Sequence, residues 1–118
     1  MADPQYLPAV VIALPAEIDM ANAGQVGEEL GSALATGVRA VIADMSATTF
    51  CDSSGISMLV QARKQAAANG TQLRLVVRSG PVLRALTLVR MDQLLPIYPS
   101  LSQALAIAAE PGPPPVHE

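Results

Sequence analysis

Apolar residues along the chain follow two periods, one typical of buried strands and one typical of amphipathic helices. Residues 9–14 form an apolar run rich in β-branched side chains that Pro15 stops, and this pattern predicts a strand. From Asn22 to near Gly37 the apolar positions recur every four residues, as on one face of a helix. Residues 38–45 contain a continuous apolar run, which predicts a strand covered on both faces.

The middle of the chain continues this alternation of strand and helix. A helical spacing of apolar residues follows residue 55 and ends at Asn69-Gly70, a pair typical of helix C-caps. Residues 72–78 alternate with period two, which predicts a strand with one wetter face. Pro81 suits the first turn of a third helix. The apolar face predicted for that helix consists of Val82, Ala85, Leu86 and Val89.

Several prolines divide the C-terminal part of the chain into short segments. Ile97-Tyr98, between two prolines, is predicted to be a short edge strand, because proline donates no hydrogen bond to a sheet. Ser100 and Gln103 match a capping box and predict the start of a last helix. Residues 111–118 are rich in proline and are predicted to be a disordered tail.

The order of these elements, roughly β-α-β-α-β-α-β-α, predicts an α/β fold. We expect a mixed β-sheet of four to five strands with four helices packed around it, joined by right-handed crossovers. A chain of 118 residues is the length of one domain, which we assign to residues 1–110.

Composition narrows the range of functions. Apolar residues make up 51% of the chain and charged residues 14%, a balance that supports a packed core. The formal net charge of -3 argues against nucleic acid as a partner, and no apolar run approaches the roughly 20 residues that span a membrane. Cys51 and His117 are the single cysteine and histidine, which excludes an internal disulfide and a zinc site built from both ligand types. We therefore expect no metal or cofactor, and a reducing cytoplasm as the compartment.

One segment with candidate chemistry joins the strand predicted at 38–45 to the helix that follows. It ends in Asp52-Ser53-Ser54-Gly55, directly before the helical pattern. Ligands gather beyond the carboxyl ends of parallel strands, and a helix N-terminus favours an anion. A phosphate on either serine would therefore be tolerated there. The alternative explanation is that Ser53 or Asp52 is simply the N-cap of the helix.

Together with several other segments, this motif resembles the STAS domain of bacterial anti-anti-sigma factors, the anti-sigma factor antagonists of sporulation and stress responses. The resemblance covers about residues 7–109. Two departures from the family pattern are Ala16, where glycine is usual, and Met45, where leucine is usual. The segments that carry the resemblance are Ala16-Glu17-Ile18-Asp19, Asp44-Met45-Ser46, Asp52-Ser53-Ser54-Gly55, Asn69-Gly70, and residues 82–86 and 94–98.

The resemblance implies that Ser54 is phosphorylated by a partner, with Ser53 as the second candidate. The implied partner is an anti-sigma factor with GHKL-type serine kinase activity, which uses ATP and magnesium, and a metal-dependent Ser/Thr phosphatase removes the phosphate. The unphosphorylated protein is expected to bind the anti-sigma factor and so free a sigma factor. Phosphorylation adds about -1.5 to -2 charges at this interface and is expected to end the binding. The implied partner-binding residues are Asp19, Asp52, Ser53, Ser54, Gly55 and Ile56.

Four residues of these motifs have competing explanations. Asp19 and Asp52 either contribute to the partner surface or belong to the cap regions of the first and second helices. Asp44 is expected to be structural and to accept hydrogen bonds from loop N–H groups. Cys51, beside a helix start, is either a redox-active thiol of lowered pKa or, as we favour, a small buried apolar residue.

Two other classes of function compete with a phosphorylated binding protein. A serine enzyme needs a base near its nucleophile, but His117 lies in the predicted tail and Lys64 lies about 15 Å from Ser54 along one helix. We therefore predict no intrinsic catalysis. The other alternative is a STAS interaction or ligand-sensing module in another signalling or transport complex. In either role a monomer is the expected state.

Overall fold

Strands and helices alternate through residues 8–106, which are the residues that the computed structural model describes. The strands are β1 (Ala9–Ala13), β2 (Glu17–Ile18), β3 (Ala40–Met45), β4 (Phe50–Cys51), β5 (Gln72–Val77) and β6 (Ile97–Tyr98). The helices are α1 (Ala23–Leu34), α2 (Ser53–Asn69), α3 (Gly80–Leu88), α4 (Met91–Leu94) and α5 (Leu101–Leu105). The predicted tail at 111–118 lies outside the described residues.

The main sheet has four strands in the order β1-β3-β5-β6, and β2 and β4 form a separate two-strand ribbon. This confirms the predicted α/β fold with its helices packed around a sheet, although residues 8–106 contain five helices where the sequence predicted four. All strand pairs between residues 8 and 106 are parallel, whereas the sequence predicted a mixed sheet. The reason is that a helix separates the members of every pair along the chain, and such crossover connections join parallel strands.

The larger hydrophobic core lies on one face of the sheet. There α1 and α2 pack side by side against β3 and β5, and α3 contacts the β2–β4 ribbon through β4. A smaller cluster occupies the opposite face, where α5 covers Ile42 and Val76. Both faces of the central strands are therefore buried, as the apolar run in β3 predicts.

The prediction of a wetter face on β5 is wrong. Arg74 and Val76, which occupy that face, are fully buried beneath α5. The Arg74 guanidinium donates hydrogen bonds to the carbonyl oxygens of Ala104 and Ala106 and to Oε1 of Gln72. An alternating pattern containing arginine suggested solvent, but this guanidinium is buried because it satisfies carbonyls at the end of α5.

Local end signals confirm three helix boundaries. Gly70 has φ 68° at the C-cap of α2, a left-handed conformation that glycine adopts without strain. The hydroxyls of Ser79 and Ser100 accept hydrogen bonds from Val82 N and Gln103 N and so cap α3 and α5.

Val89 is an exception to the face predicted for the third helix. It is exposed, because α3 ends at Leu88 and the chain turns at Arg90 into α4. Among the described residues, no helix combines the length and apolar character needed to cross a bilayer.

Candidate functional site

The β2–β4 ribbon fixes where α2 begins. Ile18 pairs with Cys51, and the N–H of the next residue, Asp52, donates to the carbonyl oxygen of Ile18 at 3.1 Å. Since β2 leads towards α1 and β4 leads directly into α2, the parallel ribbon places both connections at the same end of the fold. Asp19 and Asp52 each follow one strand of the ribbon at that end.

Asp52 is the N-cap of α2. Its Oδ1 accepts hydrogen bonds from Ser54 N at 2.8 Å and from Gly55 N at 3.2 Å. The choice between Ser53 and Asp52 is thereby decided, because Ser53 is the first residue inside the helix. The cap also corrects our expectation about anions: two N–H groups of the first turn are already bonded to a carboxylate. A phosphate here would keep the attraction of the helix dipole but would meet the charge of Asp52.

Ser54 lies at the second position of α2 and is half-buried. It lines a groove of about 510 Å³ between α1 and α2, whereas Ser53 is exposed and lies outside the groove. Neither serine hydroxyl makes a hydrogen bond to any residue between 8 and 106. The residues that line the groove are Ala23, Gly24, Gly27, Glu28, Gly31, Ser54, Ser57, Met58, Gln61, Ala62 and Gln65.

Gly55 and Ile56, the last two residues assigned to the partner surface, have evident packing roles. A Cβ on Gly55 would lie 2.5 Å from Sγ of Cys51 and 2.9 Å from Cγ2 of Ile18. Only glycine therefore fits between the helix and the ribbon at this point. Ile56 is half-buried and packs against the main core. Their part in partner binding stays a prediction.

Asp19 lies in the turn before α1, which agrees with the structural explanation. Its Oδ1 accepts from Ala21 N at 2.9 Å, and its own N–H donates to Oδ1 of Asn22 at 2.9 Å. Asn22 is the N-cap residue of α1, but its side chain makes hydrogen bonds to residues that precede the helix and none to the N–H groups of the helix. Asp19 is half-buried, and its place beside the partner surface stays a prediction.

Two exposed apolar residues of the same loops were missed by the sequence analysis. Met20 is 83% exposed in the turn after β2, and Phe50 is 50% exposed in β4. Buried and exposed apolar residues look alike in a sequence, and strands of two residues are too short to show a period. Exposed aromatic and methionine side chains are enriched at protein interfaces.

Asp44 and Cys51 have structural roles. The Asp44 carboxylate accepts from Ser46 N at 3.0 Å in the loop after β3, as expected. Burial, together with the negative charge of Asp52, raises the pKa of the Cys51 thiol to about 11. This shift is the opposite of the lowered pKa that the redox alternative assumed, and it agrees with a small buried apolar role for Cys51.

The described residues hold no metal site. Within residues 8–106, no group of three histidine, cysteine, aspartate or glutamate side chains lies close enough together to bind an ion.

Comparison with known proteins identifies a family and related folds. A family model described as the STAS domain matches residues 2–104. The crystal structure of an anti-sigma factor antagonist from Mycobacterium paratuberculosis is 24% identical with a TM-score of 0.75, covering 88% of this chain and 95% of that chain. The phosphorylated form of the Bacillus cell fate determinant SpoIIAA is 20% identical with a TM-score of 0.62, covering 82% and 87%. A sulfate transporter family protein from Wolinella succinogenes is 18% identical with a TM-score of 0.68, covering 88% and 93%.

The matches with solved structures bear on the fold. The named structures share the architecture described above.

Proposed function

The chain belongs to the STAS domain family, and we propose that it is an anti-sigma factor antagonist switched by phosphorylation of Ser54. The unphosphorylated protein binds an anti-sigma factor with GHKL-type serine kinase activity and thereby frees a sigma factor. Phosphorylation by that partner ends the binding, and a metal-dependent Ser/Thr phosphatase restores it. The protein acts as a monomer in the cytoplasm.

The position of Ser54 carries this proposal. Its side chain is half-buried at the start of a helix, opens onto a groove, and has a hydroxyl without a hydrogen-bond partner in residues 8–106. A kinase must approach the hydroxyl oxygen of its substrate directly, and a hydroxyl bonded inside the fold would resist that approach. The Asp52 cap holds the first turn of α2 in one conformation, so that Ser54 is presented without rearrangement.

Like charges explain how the phosphate ends the binding. Ser54 must lie against the nucleotide of the kinase when the phosphoryl group is transferred, so the product phosphoserine faces both the nucleotide phosphates and the Asp52 carboxylate. Glu28 lines the same groove and adds a further negative charge. A penalty of about 1.4 kcal/mol already weakens binding tenfold, so this repulsion is sufficient without any change of fold.

A phosphotransfer experiment with matched serine variants tests the proposal. Wild type, Ser53→Ala and Ser54→Ala are incubated with candidate GHKL kinases and MgATP, and the phosphate is located by mass spectrometry. We expect labelling of wild type and Ser53→Ala, and no labelling of Ser54→Ala. Calorimetry with the labelling kinase should then show at least about tenfold weaker binding of the phosphorylated protein. Labelling at Ser53, or equal affinity of both forms, contradicts the proposal.

The competing role is a STAS module of another signalling or transport complex. The resemblance in fold to the Wolinella succinogenes protein, named for the sulfate transporter family, is the observation that favours it. In that role the chain binds its partner whether or not Ser54 can be phosphorylated. Failure of every GHKL kinase from the source organism to label Ser54 would favour this alternative.

A further inference from the structure

The groove beside Ser54 is one continuous surface between two helices. On α1 its lining includes positions 24, 27, 28 and 31, which have the spacing of a single helix face. On α2 the lining positions 54, 57, 58, 61 and 65 have the same kind of spacing. A segment of another protein that enters the groove therefore contacts both helices.

Glu28 gives this groove its charge. Among the described residues that line the groove it is the one charged side chain, and the other ten are neutral. Its carboxylate is exposed and has no ion pair or hydrogen bond to residues 8–106. Glu29, the next residue, lines a separate cleft on the other side of α1. Only the first of these two adjacent carboxylates therefore faces a protein that occupies the groove.

Gly24 leaves the groove open near the start of α1. A Cβ on Gly24 would meet no atom within 4 Å, whereas at Gly27 and Gly31 it would lie 3.1 Å from Met58 and 3.0 Å from Gln65. The close approach of α2 thus explains the second and third glycines but not the first. Glycine inside a helix is less stable than alanine, so the room at Gly24 exists at the expense of helix stability.

The position of Ser54 determines what a partner does to Glu28. A protein that reaches the Ser54 hydroxyl covers the groove that this serine lines and removes water from the Glu28 carboxylate. A carboxylate that loses its water without gaining a cation weakens the complex. The described lining of the groove contains no lysine or arginine, so the partner has to supply the positive charge.

We propose that Glu28 selects the anti-sigma factor by pairing with a cationic side chain that this partner inserts into the groove. The inference rests on the proposed function, since the occupant is the kinase that phosphorylates Ser54. The inserted ammonium or guanidinium group donates hydrogen bonds to the Glu28 carboxylate, and small or apolar neighbours fill the space beside Gly24. A related kinase that lacks the cation binds weakly, which makes Glu28 a specificity-determining residue.

Other occupants do not match the charge of the groove. A second copy of the chain docked through the same groove on a two-fold axis would bring two Glu28 carboxylates together without a cation. Nucleic acid and anionic lipid surfaces are repelled by the same carboxylate. A basic segment of a protein partner is the occupant that this charge favours.

The first test measures the affinity of charge variants of the full chain. The GHKL kinases of the source organism are titrated by calorimetry with MgADP, which permits no phosphoryl transfer. For the kinase that labels Ser54, we expect Glu28→Gln to raise Kd about tenfold and Glu28→Lys about a hundredfold. Glu29→Gln and Glu29→Lys, the same changes on the other side of α1, are the matched controls and should change Kd by less than about twofold.

A charge swap then identifies the cation. Each exposed lysine and arginine of that kinase is changed to glutamate, and one of these kinase variants should bind Glu28→Lys at least about tenfold more tightly than the unchanged kinase does. A residue with a merely structural role would show no such rescue.

A third test fills the groove. Gly24→Leu should raise Kd at least about tenfold, because its side chain occupies the space of the inserted segment. Gln25→Leu adds the same side chain at the next position of α1, outside the groove, and should leave Kd unchanged. Circular dichroism of all variants should show the wild-type helix content.

Equal Kd values for Glu28→Gln and Glu29→Gln overturn the inference, as does a charge-swap scan without any rescue or unchanged binding of Gly24→Leu. If the kinase in question labels Ser54, these results leave the proposed function intact and remove only the role of Glu28. If no kinase labels Ser54, the proposed function fails and this inference fails with it. Self-association of the wild type that Gly24→Leu abolishes in sedimentation would assign the groove to a second copy and would also overturn the inference.

Discussion

The N–H of Asp52 donates a hydrogen bond to the carbonyl oxygen of Ile18 at 3.1 Å, which extends the pairing of the β2–β4 ribbon to the first turn of α2. Asp52 therefore caps α2 with its side chain, while its backbone N–H is bonded to β2. Because of these two attachments, the β2–β4 ribbon fixes the position of Ser54. The following predictions concern the contacts that maintain it and the rest of the fold.

Asp52→Ala should lower the free energy of unfolding by about 1 kcal/mol, because the N–H groups of Ser54 and Gly55 lose their acceptor. Asp52→Asn keeps an acceptor oxygen and should retain most of the stability. Urea denaturation followed by circular dichroism measures both. Equal losses for the two variants would mean that the charge, and not the hydrogen bonds, maintains the cap.

Gly55→Ala should destabilise the protein by about 1–3 kcal/mol, because its Cβ would overlap Cys51 and Ile18. Gly24→Ala is the matched control within α1, where a new Cβ meets no atom within 4 Å. It should stabilise the protein by about 0.5–1 kcal/mol. Thermal unfolding of both variants gives the comparison, and Cys51→Ala should recover part of the loss caused by Gly55→Ala.

Arg74→Leu should cost about 2–4 kcal/mol, because the carbonyl oxygens of Ala104 and Ala106 lose their buried donor. Arg78→Leu, an exposed position directly after β5, should change stability by less than about 0.5 kcal/mol. In Arg74→Leu, hydrogen exchange should show loss of amide protection first in α5. A similar cost for both variants would argue against a specific role of the buried guanidinium.

The Cys51 thiol should resist iodoacetamide at pH 8 in the folded protein and react rapidly in urea, because its pKa of about 11 keeps it protonated. The pKa of the thiol in the folded protein lies above its ordinary value of 9.0, so the contribution of the thiol to stability is complete below pH 9. That contribution is lost as the pH rises from about 9 to about 11, since the unfolded chain releases the proton first. Cys51→Ala should show a shallower loss of stability over this range, and an unchanged slope would exclude Cys51 as the cause.

Phosphorylation of Ser54 should change the free energy of unfolding by less than about 1 kcal/mol, because attraction to the α2 dipole and repulsion by Asp52 oppose each other. Thermal unfolding of the phosphorylated protein, beside Ser53→Glu as a charge control, measures this. A fall in Tm of more than about 10 °C would show that the phosphate acts by unfolding the site, and not by repelling a partner.

Much of the fold and part of the site follow from local patterns. The apolar runs of β1 and β3, the Ser100 cap of α5, and Gly70 at the end of α2 are all predictable, because each depends on neighbours a few residues away. The position of Ser53 and Ser54 at a helix start follows in the same way. These features were confirmed because strand period and helix capping act within a single element.

The contacts between elements could not be predicted in this way. The ribbon of β2 and β4 joins two pairs of residues more than 30 positions apart, and each strand is too short for a period to appear. The burial of Arg74, the exposure of Met20 and Phe50, and the groove beside Ser54 all depend on which element lies above each side chain. The sequence by itself determined the order of the four strands of the main sheet and of α1, α2, α3 and α5, and it placed two serines at the start of α2. Only the tertiary structure decided which side chains other elements cover, because burial depends on distant parts of the chain that no local period records.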